Sequence, residues 1–452
     1  MGEMSVPNEA LYGASTQRAV LNFPISGHAM PDALIRALGM VKFACAGANS
    51  ELGRLTPESC RLIQQVSREI IAGGLRAHFP VDVFQTGSGT STNTNINEVI
   101  ANRAGQLAGQ LPGLKPPVHP NDEVNLGQSS NDVMPSALHV SVMLALRDEL
   151  RPALEHLERE LAERSRAFET VVKIGRTHLM DATPLTLGQE FSGYARQAAK
   201  AVERTDKAVS ALHEIAIGGT AVGTGLNGHP EFAAKVCRIL RELTGLPLVE
   251  AVNHFEAQAA RDDAVEVAGH LATIAASLTK IANDIRLLGS GPRSGLAEIR
   301  LPATQPGSSI MPGKVNPVMS EMLVQVCIYA QGLAQVVVMC GRDGQLELNA
   351  TIPLIAHSLH EAIHCLANGA RVFADSCVHG IEADEGRCSE LMQRSLMLVT
   401  ALAPFLGYDQ SAIVAKEALA TNRTLREVVL EKKLMDVATL DRALDPQRMS
   451  HT

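Results

Sequence analysis

The chain has 452 residues, too many for one simple core, so two or three packed regions are expected. Hydrophobic residues make up 46% and aromatics only 3%, with no Trp, so Ala and Leu carry the apolar content and favour close-packed helices over aromatic-rich sandwiches. The formal net charge of −8 argues against a nucleic-acid or anionic-membrane partner, although one site can still be locally positive for an anionic substrate.

The N-terminus, MGEMSVPNEALYG, lacks a basic segment followed by an apolar run, so no signal peptide is expected. Eight cysteines lie scattered without a CxxC pair, several in apolar helical stretches. They read as reduced, buried thiols of a cytoplasmic protein. No uninterrupted apolar run approaches the length that spans a bilayer.

Residues 1–133 mix short helical patterns with Gly-, Asn-, Ser- and Thr-rich loops and form an expected N-terminal helical domain. From Ser136 to Phe168 apolar residues recur at three- and four-residue spacing, which predicts one long amphipathic helix. Similar patterns run over about Gln189–Glu214, Ala257–Leu288 and Val318–Val338. Residues 134–385 therefore predict a central long-helix bundle, all-α in class, and residues 386–452 a small C-terminal helical domain. The stretch from Gly289 to Pro317 is irregular and longer than a bundle connection requires, which makes it the first candidate for chemistry.

Two motif matches have bland readings. Gly223-Thr-Gly225-Leu-Asn-Gly228 fits GxGxxG, with Glu250 downstream, but a dinucleotide site needs that loop between a strand and a helix. Here a helix ending near Ile215 is expected before it, so a close-approach glycine loop is the better reading. His360-Glu-Ala-Ile-His364 fits the zinc-peptidase pattern HExxH, yet Leu359, Ile363 and Leu366 keep an ordinary apolar stripe around it.

The third match is richer. Gly307-Ser-Ser-Ile-Met-Pro-Gly-Lys-Val-Asn-Pro317 places hydroxyls, a cation and an amide in one loop. Elimination beside a carboxylate needs a base for a weakly acidic C–H proton and fixed positive groups for the charge that accumulates. Ser308 can serve as base if Lys314 and backbone N–H groups stabilise its anion, and Lys314 and Asn316 can hold the carboxylate.

This loop resembles the GSSxMPxKxNP signature of the fumarase/aspartase superfamily. So do Gln85-Thr-Gly-Ser-Gly-Thr90, His119-Pro-Asn-Asp122 with Gln128-Ser-Ser-Asn-Asp132, Gly175-Arg-Thr-His178 and Gly218-Gly-Thr-Ala-Val-Gly-Thr-Gly-Leu-Asn227, across essentially the whole chain. The resemblance implies three helical domains and a homotetramer with a core of about twenty helices, each active site shared by three chains. It implies that Ser308 takes a proton, that His178 paired with Glu321 activates water, and that Lys314, Asn316 and Ser309 hold substrate. Ser88, Gly89, Thr90, Ser129, Ser130, Asn131 and Thr177 would bind a small dicarboxylate. His119, Pro120, Asn121 and Asp122 would form a second, weak dicarboxylate site. No cofactor and no metal are implied. Each residue also has a local reading: Glu321 as a first-turn acid, Ser129 and Asn131 as caps.

Within the superfamily, Ser129-Ser130-Asn131, Thr86-Gly-Ser88-Gly-Thr90 and His178 resemble the class II fumarases. That implies a carbon–oxygen lyase interconverting fumarate and L-malate. An aspartate ammonia-lyase and an inactive structural relative are the alternatives. Departures stand at Lys115-Pro116, where a basic residue is usual nearer the HPND segment, and at Met134, Thr94 and Glu347–Pro353; none is expected to touch the catalytic set.

Overall fold

The computed structural model describes residues 2–110, 117–445 and 448–449; Lys115 and Pro116 lie outside them. Helices dominate, and among the described residues strands occur only as three two-stranded pairs. The chain divides into two compact units. One comprises residues 1–152, 202–275 and 326–367, the other 153–201, 276–325 and 368–452.

In the first unit the Asp32–Glu51 helix packs against the helices Pro57–Ile71, Ser130–Ala145 and Phe232–Thr244. Leu34, Leu38, Val41, Cys45 and Ala48 supply the contact stripe at helical spacing, all fully buried. Thr56 starts the second of these helices by accepting from Ser59 N–H, with Pro57 at its first position.

The single helix expected from Ser136 to Phe168 begins earlier and is interrupted. Ser130–Ala145 passes through a π-turn, Leu146–Leu150, into Arg151–Ala167. The helix expected to reach Glu214 ends at Ser210, and Glu214–Ile215 then pairs in parallel with Val249–Glu250. The glycine-rich segment 218–228 thus does lie between a strand and a helix, contrary to the expectation, but each strand has two residues and among the described residues the pair belongs to no wider sheet. At Gly223, φ is +101° and an added Cβ would press on the Phe255 backbone, so this position requires glycine for close approach.

The second unit contains an antiparallel hairpin, Val172–Thr177 with Met180–Thr186, where a loop was expected. It packs against the Glu385–Arg394 helix and the Leu396–Ala401 turn. A short pair joins Ile299–Arg300 to Glu382–Ala383. Leu398, Leu402, Val414, Val428, Val429 and Leu440 form the core of the C-terminal helices.

The Val318–Arg342 helix corrects the reading of apolar runs. It has 25 residues and a mean hydropathy of 1.7 over an 18-residue window, long and apolar enough by length and composition to cross a membrane. Only 33% of that window is buried. Ile328, Tyr329 and Met339 are exposed on it.

Candidate active site

In the first unit two helix N-termini meet. Gly89, with φ of +76°, precedes the Thr90–Leu107 helix, and Ser129 precedes the Ser130–Ala145 helix. The hydroxyls of Thr90 and Ser130 lie 2.7 Å apart, and Thr90 is also 2.8 Å from that of Ser88. The positive ends of both helix dipoles and three hydroxyls therefore lie together where a carboxylate would be welcome. Beside them opens a depression of about 500 Å³, lined by Thr90, Asn121, Asn125, Gln128, Ser129 and Ser130 among others. None of its described lining residues carries a charge.

Ser129 is the cap that its position suggested. Its side chain accepts from Asn131 N–H, and Asp132 returns the bond by accepting from Ser129 N–H. Asp132 does more than cap. Its second oxygen accepts from Gly218 and Thr220 N–H at 3.1 and 3.0 Å, and Asn131 donates to the Ala221 carbonyl at 2.8 Å. The glycine-rich segment is thereby tied to the substrate loop. Burial pushes the Asp132 carboxyl up to about 6, against the three N–H donors and Lys42, which pull it down.

His119 and Asp122 fold on each other: Asp122 N–H donates to His119 Nδ1 at 3.0 Å. Pro120 opens the π-turn Pro120–Val124, and Asn121 reaches the same depression as Ser129 and Ser130. The sequence departures also adjoin this region. Met134 packs where a Cβ on Gly89 would fall, and Thr94 lines the depression. A Cβ on Gly87 would lie 1.8 Å from the Ala350 carbonyl oxygen. Met134, Ala350 and Thr94 thus adjoin the expected substrate-binding loop.

In the second unit Thr177 and His178 lie at the tip of the hairpin. His178 and Leu179 both have positive φ, 56° and 63°, as a two-residue type I′ connection requires. Both side chains are exposed. Arg176, just before the tip, donates to both oxygens of the fully buried Glu298, which also pairs with Lys173 at 3.2 Å. Glu298 lies ten positions before Ser308 and so links the stem of the signature loop to the hairpin.

Within that loop Ser308 Oγ accepts from the backbone N–H groups of Ile310 and Met311, at 3.2 and 3.1 Å. Such donors stabilise an oxyanion over a hydroxyl. Asn316 donates to the Gly307 carbonyl, and Gly307 N–H bonds the Lys314 carbonyl, so the loop closes on itself. Ser309 and Lys314 are exposed and Ser308 half-buried. Glu321 stands in the first turn of the Val318–Arg342 helix, as its dipole favours.

The HExxH residues do not act as a pair. His360 is buried and its Nε2 bonds Ser141 Oγ at 2.8 Å, whereas His364 is exposed, with Nδ1 3.3 Å from Glu149. Among the described residues no group of three or more His, Cys, Asp or Glu side chains is arranged to hold a metal.

The sequence reading missed Asp132, Glu298 and Lys42. Their signal was available for Lys42, which stands at helical spacing from Leu38, Cys45 and Asn49 on a buried face.

Residues 2–332 match the family described as lyase, and residues 398–451 match the fumarase C C-terminus. The class II fumarate hydratase 2 of Bradyrhizobium diazoefficiens is 50% identical over 99% of this chain and 95% of its own length. That of Neisseria meningitidis is 49% identical over 100% and 98%. Among solved structures, the class II fumarase of Schistosoma mansoni superposes with a TM-score of 0.96 at 39% identity, covering 99% of this chain and 97% of that one. The fumarate lyase:delta crystallin of Brucella melitensis gives 0.97 at 44% identity, covering 100% and 98%. The aspartate ammonia-lyase alternative is not favoured by these names. The chain belongs to the class II fumarate hydratases, lyases of the fumarase/aspartase superfamily.

Proposed function

We propose that the chain interconverts L-malate and fumarate in the cytoplasm, as a homotetramer whose active sites are each built by loops of three chains. In the forward elimination Ser308 Oγ takes the C3 proton of L-malate. The electron pair of that C–H bond becomes the C2=C3 double bond as the C2–O bond breaks. The departing hydroxyl accepts a proton from the His178–Glu321 pair and leaves as water. Lys314 and Asn316 hold the carboxylate on which charge gathers, with Ser309 beside them. Ser88, Gly89, Thr90, Ser129, Ser130, Asn131 and Thr177 bind the dicarboxylate.

The observation that carries the base assignment is the pair of N–H groups on Ser308 Oγ, since a serine without such donors is a poor base. The exposed apolar residues of the Val318–Arg342 helix support a subunit face there. Eight free cysteines, seven of them buried, accord with a reducing compartment.

The test is fumarate formation by the purified protein from L-malate and, in parallel, from L-aspartate. Formation from malate alone is expected. Formation from aspartate alone would keep the base and the fold but reassign the leaving group.

A further inference from the structure

The Asp32–Glu51 helix buries one cation completely. Lys42 has no exposed surface, and its Nζ donates to Asn125 Oδ1 and Gln128 Oε1, each at 2.9 Å. Asp132 acts on it through space, not through a hydrogen bond to Nζ. The Nζ acceptors are neutral amides.

Burying an ammonium that makes no direct ion pair costs several kcal/mol, and a packing role at this position would be filled at lower cost by Leu or Met. Both Lys42 acceptors line the depression beside Thr90, Ser129 and Ser130. Asn125 is a hub there: its Oδ1 also accepts from Asn93 and Asn97, at 3.2 and 3.3 Å. The depression thus has an uncharged lining with one cation directly behind it.

The other buried charge nearby is Asp132, whose oxygens are taken by Ser129, Gly218 and Thr220 N–H. Without Lys42 that carboxylate would leave the floor net negative, which repels a dianion. In a buried, low-dielectric setting a unit charge acts over a longer range than in water.

We propose that Lys42 is a positioning residue that sets the charge of this depression for a dicarboxylate, acting through Asn125 and Gln128 without touching the substrate. This rests on the malate–fumarate reading above. Among the described residues of this cluster the ammonium is the group whose charge changes above pH 7, since Asp132, at about 6, is already ionised there. Burial pulls the Lys42 pKa down to about 8, with Cys45 and Asp132 pulling the other way. Asp132 comes from the Ser130–Ala145 helix and Cys45 from its own helix, while the Phe232–Thr244 helix brings Cys237 against Cys45. The Thr90–Leu107 helix and the turn at Asn125–Gln128 present amides.

The experiment is steady-state kinetics of Lys42→Gln and Lys42→Met with L-malate and with fumarate, beside thermal melts. The expected result is a KM raised about tenfold or more for both substrates with kcat within about threefold, in variants that melt cooperatively. A folded variant with unchanged KM, or one that loses kcat alone, overturns the proposal. A second measurement needs no variant: KM for L-malate on the unsubstituted protein from about pH 7 to about 9.5. It should climb as pH rises through about 8, and a flat KM overturns the proposal even if both variants fail to fold. If the unsubstituted protein forms no fumarate from L-malate, the reaction reading itself falls. If it does and the Lys42 variants match it, only the role of Lys42 falls.

Discussion

Arg176 donates through one guanidinium nitrogen to both carboxylate oxygens of Glu298, at 3.0 and 2.9 Å, and Glu298 has no exposed surface. The pair joins two segments far apart in sequence. Arg176 precedes the hairpin tip that carries His178, and Glu298 precedes the loop that carries Ser308. Lys173, itself buried, bonds Glu190 at 3.0 Å and completes a four-residue network of balanced charge. Removing one member of a buried ion pair strands the other, at a cost of about 3–5 kcal/mol. Glu298→Gln should therefore lower apparent stability in chemical denaturation by at least about 3 kcal/mol. Combining it with Arg176→Met should cost less than the two single changes summed, because the second removes the stranded cation. Additive losses would mean that the two residues are not coupled.

The base assignment is tested at Ser308. Ala at this position removes the atom that Ile310 and Met311 N–H groups hold, with little other contact to lose at a half-buried site. General-base catalysis contributes about 10²–10⁴ in rate, so kcat for L-malate should fall by about two orders of magnitude or more. The melting temperature should stay within about a degree or two of the parent. Near-normal kcat in Ser308→Ala would move the base elsewhere.

The long helices were legible in the sequence because apolar spacing records burial: the patterns over Ala257–Leu288 and Val318–Val338 fall on the helices Asp262–Leu288 and Val318–Arg342. The hairpin was not legible. Its turn is made by His178 and Leu179, neither of them Gly or Asn, in left-handed backbone that Leu adopts only under strain, so the usual turn signal was missing. The signature loop was conspicuous by its Gly, Ser and Pro content, but Glu298 and Asp132 drew no role of their own from the sequence. Charge sequence alone does not reveal that a carboxylate is enclosed by N–H groups or cations from residues about a hundred positions away. The interruption at Leu146–Leu150 also left no mark, since a π-turn keeps the apolar face of the helices it joins.

A pH dependence follows from His360. Burial first, and the neighbouring His357 second, push its pKa down from 6.5 to about 4, so the folded protein holds it neutral against Ser141. Between those values the unfolded chain binds a proton that the folded chain does not. The contribution of His360 is therefore fully present above about 6.5 and is lost as pH falls towards about 4. By pH 5 the loss amounts to about 2 kcal/mol. Gln can keep the bond to Ser141 without titrating. Urea unfolding at pH 7 and pH 5 should show His360→Gln losing about 2 kcal/mol less than the parent between the two. Equal losses would mean that this imidazole already protonates in the folded state. His139, also pushed down to about 4 by burial, adds a drop of its own that both proteins share.

The Val318–Arg342 helix supplies the last test. Ile328 is 63% exposed and Met339 49%, and Gly332 and Gln335 fall between them at steps of four, three and four residues along one face. A stripe of this kind is uncommon on a monomer, and the small Gly332 would admit a second backbone at close range. If copies of the chain associate through this face, a charge at its centre must be desolvated without a partner, which costs several kcal/mol per copy and is repeated in each subunit of a symmetric assembly. Ile328→Glu should therefore sediment as a smaller species than the parent. It should also lose activity in step with dissociation, because each site is proposed to draw on three chains. An Ile328→Glu protein that stays tetrameric would place the subunit interface elsewhere. One that dissociates yet keeps full activity would leave the interface in place and refute the shared site.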